Sequence, residues 1–164
     1  MKKIIIVLPF LLIASFFSNA QNSTAYAYYS ALCNLNGKTA FIFTSPKAFS
    51  YPKGSTYLFA PPQYESISKK TVEKAGKAID PSWNGLYVNQ LIEHATSTPT
   101  NYNNALQEVK NELTRIYKDQ QSQTNRTGTF DFKIVDMETG NEILSYSLAP
   151  NTTNSKNGSQ GNAY

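Results

Sequence analysis

The chain has 164 residues, 40% of them hydrophobic and 16% charged, with 15 Lys and Arg set against 11 Asp and Glu. A single cysteine excludes an internal disulfide, and a single histidine excludes a multi-histidine metal centre. The formal charge of +4 includes Lys2 and Lys3, and what remains without them is too small to argue for nucleic acid as a partner.

Lys2 and Lys3 precede an apolar run from Ile4 to Phe17, interrupted by Pro9 and Ser15, and Ser18-Asn19-Ala20 follows as a small-x-small site. That order is the pattern of a secretory signal, so residues 1–20 are expected to be cleaved after Ala20. The run falls short of the roughly 20 apolar residues that a membrane span needs, so no span is expected after cleavage. Cys33 lies well beyond the run behind bulky Leu32, which argues against lipid attachment. The expectation is a secreted or periplasmic protein with one domain over residues 21–150.

Ala25 to Leu35 and Lys38 to Ser45 read as two strands joined by Asn36-Gly37, the strongest short hairpin signal. A two-residue loop sets Leu35 opposite Lys38, Cys33 opposite Ala40 and Ala31 opposite Ile42 on one face. It sets Leu32 opposite Phe41 and Ser30 opposite Phe43 on the other. Both faces carry apolar side chains, so the hairpin is expected at the centre of its sheet, with a small-residue face that a helix can approach closely. The segment from Ser45-Pro46 to Gly54 reads as a loop, and Ser55 to Ala60 as a short third strand stopped by Pro61-Pro62.

Tyr64, Ile67, Thr71, Val72, Ala75 and Ile79 recur at spacings of three and four and predict an amphipathic helix, weakened at Gly76 by about 1 kcal/mol. Asp80-Pro81 is expected to end that helix and open a second, which buries Leu86 or Tyr87, Val88, Leu91, Ile92 and Ala95. A third helix carries the stripe Tyr102, Leu106, Val109, Leu113, Ile116 and Tyr117, capped by Asn101 or Thr100. Two further strands follow. Phe130, Phe132 and Ile134 alternate with Asp131, Lys133 and Val135, and after the turn at Glu138 to Asn141, Leu144, Tyr146 and Leu148 alternate with Ser145 and Ser147. From Asn151 to Tyr164 the composition turns polar, and a disordered tail is expected.

The fold class implied is α+β: one antiparallel sheet of four to five strands, made of an N-terminal and a C-terminal hairpin, with about three helices between them packed on one face. No residue pattern marks a catalytic centre, a cofactor or a metal. Cys33 sits among small residues in a strand rather than at an electropositive spot, and His94 reads as a surface residue near a helix C-terminus. Glu108 and Glu112, and Asp131 and Asp136, are carboxylates on solvated surfaces. No G-x-S-x-G elbow or phosphate-cradling glycine loop is present.

The 11 tyrosines are the unusual feature. Tyr26, Tyr28 and Tyr29 cluster in the first strand, and Tyr51 and Tyr57 flank proline-rich loops. Rings with a polar tip suit binding surfaces. The leading expectation is therefore an exported, non-enzymatic domain that uses these five tyrosines to bind a protein partner or a component of the cell envelope. A glycan-binding module using the same rings is the alternative. A third reading is a small hydrolase using Cys33 or His94, which requires the two side chains within hydrogen-bonding reach.

Overall fold

The computed structural model describes residues 22–87 and 90–151, so the expected signal, Val88 of the expected second helix and all of the expected tail but Asn151 lie outside the described residues. The elements in chain order are β1 (Asn22–Leu35), β2 (Lys38–Thr44), β3 (Lys47–Pro52), α1 (Pro62–Ile79), β4 (Leu91–Thr96), α2 (Tyr102–Ser122), β5 (Thr129–Val135) and β6 (Glu142–Leu148). They form an α+β domain with a mixed six-stranded sheet and two helices.

β1 is the hub of the sheet, pairing antiparallel with β2, β3 and β4. Its register with β2 is the one Asn36-Gly37 dictates, with Leu35 opposite Lys38, Cys33 opposite Ala40 and Ser30 opposite Phe43, and Gly37 takes the positive φ of 81° that the turn needs. β3 continues the same pairing after a bulge. Between the pairs Ser30/Phe43 and Ala27/Lys47, β1 places Tyr28 and Tyr29 while its partner places Thr44, Ser45 and Pro46. The Tyr29 amide, displaced from the ladder there, donates to Thr44 Oγ1 at 2.9 Å.

The sheet is not wholly antiparallel, because β2 and β5 run parallel, from Lys38 opposite Thr129 to Thr44 opposite Val135. Nor do the helices share one face. Val72 and Ala75 of α1 cover Ala31, Cys33, Leu35, Ala40 and Ile42. Val109 and Leu113 of α2 cover Phe43, Phe132, Ile134 and Leu148 on the opposite face. The physical reason lies in the hairpin itself: with apolar residues on both faces of β1 and β2, one helical layer leaves Tyr28, Phe41 and Phe43 in water. The chain runs from β3 through α1 to β4 in one direction, and from β4 through α2 to β5 in the other. Opposite directions on opposite faces keep both crossovers to a single hand. Leu113 and Val109 are fully buried, and truncating Leu113 to Ala removes about 2–5 kcal/mol.

The expected third strand at Ser55 to Ala60 is not one, and the strand lies earlier, at Lys47–Pro52, in what reads as a loop. Pro46 sits in the bulge and Pro52 at the strand's end, positions where a missing N–H costs no interior ladder bond. The expected second helix is also replaced, by edge strand β4, in which Leu91, Glu93 and Ala95 oppose Ala31, Tyr29 and Ala27. Asp80 does not cap a following helix. It ends α1, its N–H donating to Gly76 O at 2.9 Å while its Oδ1 accepts from Ser82 N and Oγ. That turn lays Trp83 against Gly76 so closely that a Cβ at this glycine meets the indole at 2.2 Å.

α2 begins as its sequence prescribes, with Asn101 Oδ1 accepting from the Asn104 amide at 3.0 Å. Arg126 is buried and closes the far end of the domain. Its Nε donates to Ala149 O, its Nη1 to Gln120 O and its Nη2 to Asn151 Oδ1, all within 2.9 Å. Asn151 returns a bond from its own amide to Arg126 O at 2.8 Å, so this residue, expected to open the tail, is tied into the fold.

Candidate functional site

The five tyrosines do not share a surface. Alternation along β1 sends Tyr26 and Tyr28 to the α2 side of the sheet and Tyr29 to the α1 side. Tyr26 is 8% exposed and Tyr29 only 1%. Tyr29 is a core residue whose hydroxyl donates to Glu93 Oε2 at 3.0 Å, and burial together with that carboxylate pushes its pKa upward. Tyr28 is half-buried, with its pKa raised by burial and by Glu112 and Glu108 on α2. Tyr51 is partly buried against the α1-side core, while Tyr57 is 75% exposed.

Tyr51 and Tyr57 do line one groove. With Phe59, 78% exposed, they line an open groove of about 490 Å³ whose remaining wall is Ser50, Pro52, Ser55 and Thr56. The rings of Tyr57 and Phe59 lie 6.4 Å apart, tilted by 33°. Among the residues lining the groove there is no Asp, Glu, Lys, Arg or His. One wall is β3, held to α1 by the Tyr64 hydroxyl, which donates to Ala48 O at 2.7 Å, and by Lys47, whose Nζ lies 5.0 Å from the Tyr64 ring centre. The other wall is the segment before α1. It is fixed at Ala60, whose amide donates to Glu93 Oε1 at 3.1 Å. Phe59 and Glu93 are the residues that sequence reasoning misses. Phe59 disappears into an expected strand, although Tyr57 and Phe59 between Gly54 and Pro61-Pro62 are bulky rings on a segment too short to bury both.

His94 is not on a helix. It lies on β4, opposite Tyr28, and the two rings stack with centres 4.6 Å apart and planes 7° from parallel. Its Nε2 is 2.8 Å from Ser30 Oγ. Burial lowers the His94 pKa, and the Glu112 carboxylate works against that shift. Cys33 faces the other side of the sheet, fully buried, its thiol pushed up to about 12 by burial. The Cys33 and His94 side chains therefore stand on opposite faces, and the pair required for a cysteine hydrolase does not form. Ser30 and His94 do touch, yet neither lines the groove, and Ser30 is buried.

Among the described residues no group of three or more His, Cys, Asp or Glu is placed to hold a metal ion, and no helix is long and apolar enough to cross a membrane. No protein-family model, curated protein or solved structure matches the chain.

Proposed function

We propose that the chain is an exported, non-enzymatic domain that binds a protein partner through the groove of Tyr51, Tyr57 and Phe59. The observation that carries this reading is the exposure of Tyr57 and Phe59, two large rings side by side on a segment tied to Glu93 at Ala60. Exposed aromatic side chains lose little conformational entropy on binding and dominate the energetics of protein interfaces. An uncharged lining is what the centre of such an interface requires, since charges there must be desolvated. Export rests on the charge, apolar run and small-x-small order of residues 1–20. The full burial of Cys33 agrees with it, since an oxidising compartment selects against an accessible lone thiol.

The test is capture from the extracellular or periplasmic fraction, with wild-type protein and a Tyr57→Ser/Phe59→Ser variant side by side. A protein retained by the wild type and lost by the equally folded variant supports the reading. Equal recovery of every captured protein by both sinks it.

One observation favours a second reading. Ser50, Ser55 and Thr56 line the groove together with the rings, and a neutral glycan uses stacking and hydroxyl hydrogen bonds together. The groove lacks the planar amide, carboxylate or guanidinium groups that fix a sugar by paired bonds, which places this reading second. A glycan array without hits removes it.

A further inference from the structure

A second cleft, of about 340 Å³, opens outside the carboxyl ends of the parallel strands β2 and β5, where open sheets with helical crossovers bind their ligands. Its volume suits a small polar molecule. The buried floor is made of Tyr26, Ser45 and Met137, and Tyr102, 41% exposed at the start of α2, forms a rim. Lys47, Asp136 and Glu138 also line it, and Lys47 and Glu138 are ion-paired with each other. Lys47 also feels the Asp136 carboxylate, but one ammonium set against two carboxylates leaves the lining with a net negative charge.

The two oxygens of that carboxylate are unlike. Oδ1 accepts three bonds within its own turn, from Glu138 N at 3.1 Å, Thr139 N at 2.8 Å and Thr139 Oγ1 at 2.9 Å. Among the described residues Oδ2 has only a long contact, 3.5 Å, from Ser45 Oγ, which itself accepts the Met137 amide at 3.0 Å. The turn bonds hold Asp136 ionised, with its pKa below the usual carboxylate range. A single under-used oxygen does not match the two-pronged guanidinium fork, whereas an ammonium group needs only one strong acceptor and takes further acceptors in any direction. Tyr26 and Tyr102 line the cleft, and aromatic rings attract a cation. Pro46 and Ala48 supply an apolar wall for its stem.

We propose that this cleft binds a primary alkylammonium group, carried either by a free amine or by a lysyl side chain. The test is titration of the isotope-labelled protein with n-butylammonium chloride, followed by amide resonances at constant ionic strength. In parallel arms the ligand is n-butylguanidinium, n-butyrate or a short peptide with one lysine. The expected result is a saturable shift of Ser45, Met137 and Tyr102 with butylammonium, a weaker response to butylguanidinium, and none to butyrate. Asp136→Asn keeps an acceptor for the turn and removes the charge, so its spectrum should stay folded while binding weakens roughly tenfold. Tyr102→Ala, at the exposed start of α2, should weaken binding without touching the turn. Tighter binding of the peptide than of butylammonium assigns the site to a protein lysine, and the reverse order assigns it to a free amine. Absence of a saturable shift at the cleft, an equal response to butyrate, or unchanged binding by folded Asp136→Asn overturns the proposal.

Discussion

The carboxylate of Glu93 accepts the amide N–H of Ala60 at 3.1 Å, so edge strand β4 holds the end of the segment that carries Tyr57 and Phe59. The other oxygen of Glu93 accepts the Tyr29 hydroxyl from the sheet's central strand. One side chain thus connects the rigid core to the exposed rings. Replacing Glu93 by Ala leaves both donors without their acceptor and should cost about 1–3 kcal/mol of stability. It should also raise the hydrogen-exchange rate of the Ala60 amide selectively. Glu93→Gln, which keeps acceptor capacity, should retain most of the protection. An Ala60 amide equally protected in Glu93→Ala contradicts this role.

Gly76 illustrates a residue whose meaning changes between sequence and structure. In the sequence it is a weak point in a helix, and alanine there should gain about 1 kcal/mol. In the structure Trp83 lies on it, and an added Cβ falls 2.2 and 2.4 Å from the indole carbons. Gly76→Ala is therefore expected to lower stability by about 1–3 kcal/mol, because overpacking outweighs the helix gain. Trp83 is the chain's single tryptophan, so its fluorescence should shift toward that of a more solvated indole in the same variant. An unchanged or higher melting temperature refutes the close approach.

Much of the core was legible because local signals and packing agreed. Asn36-Gly37 fixed the register of β1 and β2. The α1 stripe, the α2 stripe apart from Tyr102, which is exposed, and the alternation of β5 and β6 point their apolar residues inward as expected. β4 was not legible. Leu91, Ile92 and Ala95 satisfy a helical spacing, and Leu91, Glu93 and Ala95 satisfy an alternating one, so a six-residue run cannot discriminate. Tertiary pairing decided it, with β1 offering a free edge and Tyr29 a donor for Glu93. β3 was hidden by its flanking prolines. The candidate groove was legible only in part: tyrosine abundance drew attention to Tyr51 and Tyr57, which line it, but periodicity in β1 could not tell which of its tyrosines the helices would cover.

His94 gives the fold a pH dependence of definite sign. Burial holds its pKa below the usual value near 6.5, so the folded chain binds a proton less readily than the unfolded chain. Stability is then complete above about pH 6.5 and declines as pH falls from there through the folded value. The groups facing the ring are Tyr28 and Ser30 from β1, Phe43 from β2 and Glu112 from α2. The depressed carboxylates Asp136, Glu112 and Glu142 contribute in the same direction only at lower pH, below about 4.5. Between about pH 7 and 5 the melting temperature of the wild type should fall, and that of His94→Phe, which keeps a ring on Tyr28, should stay nearly level. Equal slopes for the two proteins contradict the assignment.

Cys33 should be chemically silent in the native state. Full burial and a thiol pushed up to about 12 leave almost no accessible thiolate near pH 8. Iodoacetamide should modify it only at the rate of unfolding, so mass spectrometry should find labelling in denaturant and almost none without it. Prompt native labelling would show that the α1 side of the sheet opens.

The most direct test of the account is the affinity of the purified partner, measured by calorimetry, for wild-type protein and for Tyr57→Ser/Phe59→Ser. Both residues are surface-exposed, so the variant should keep the wild-type stability to within about 0.5 kcal/mol. Its affinity should fall on the order of a hundredfold, as loss of two aromatic anchors implies. An affinity equal to that of the wild type would show that the partner binds elsewhere and that the groove of Tyr51, Tyr57 and Phe59 is not the functional surface.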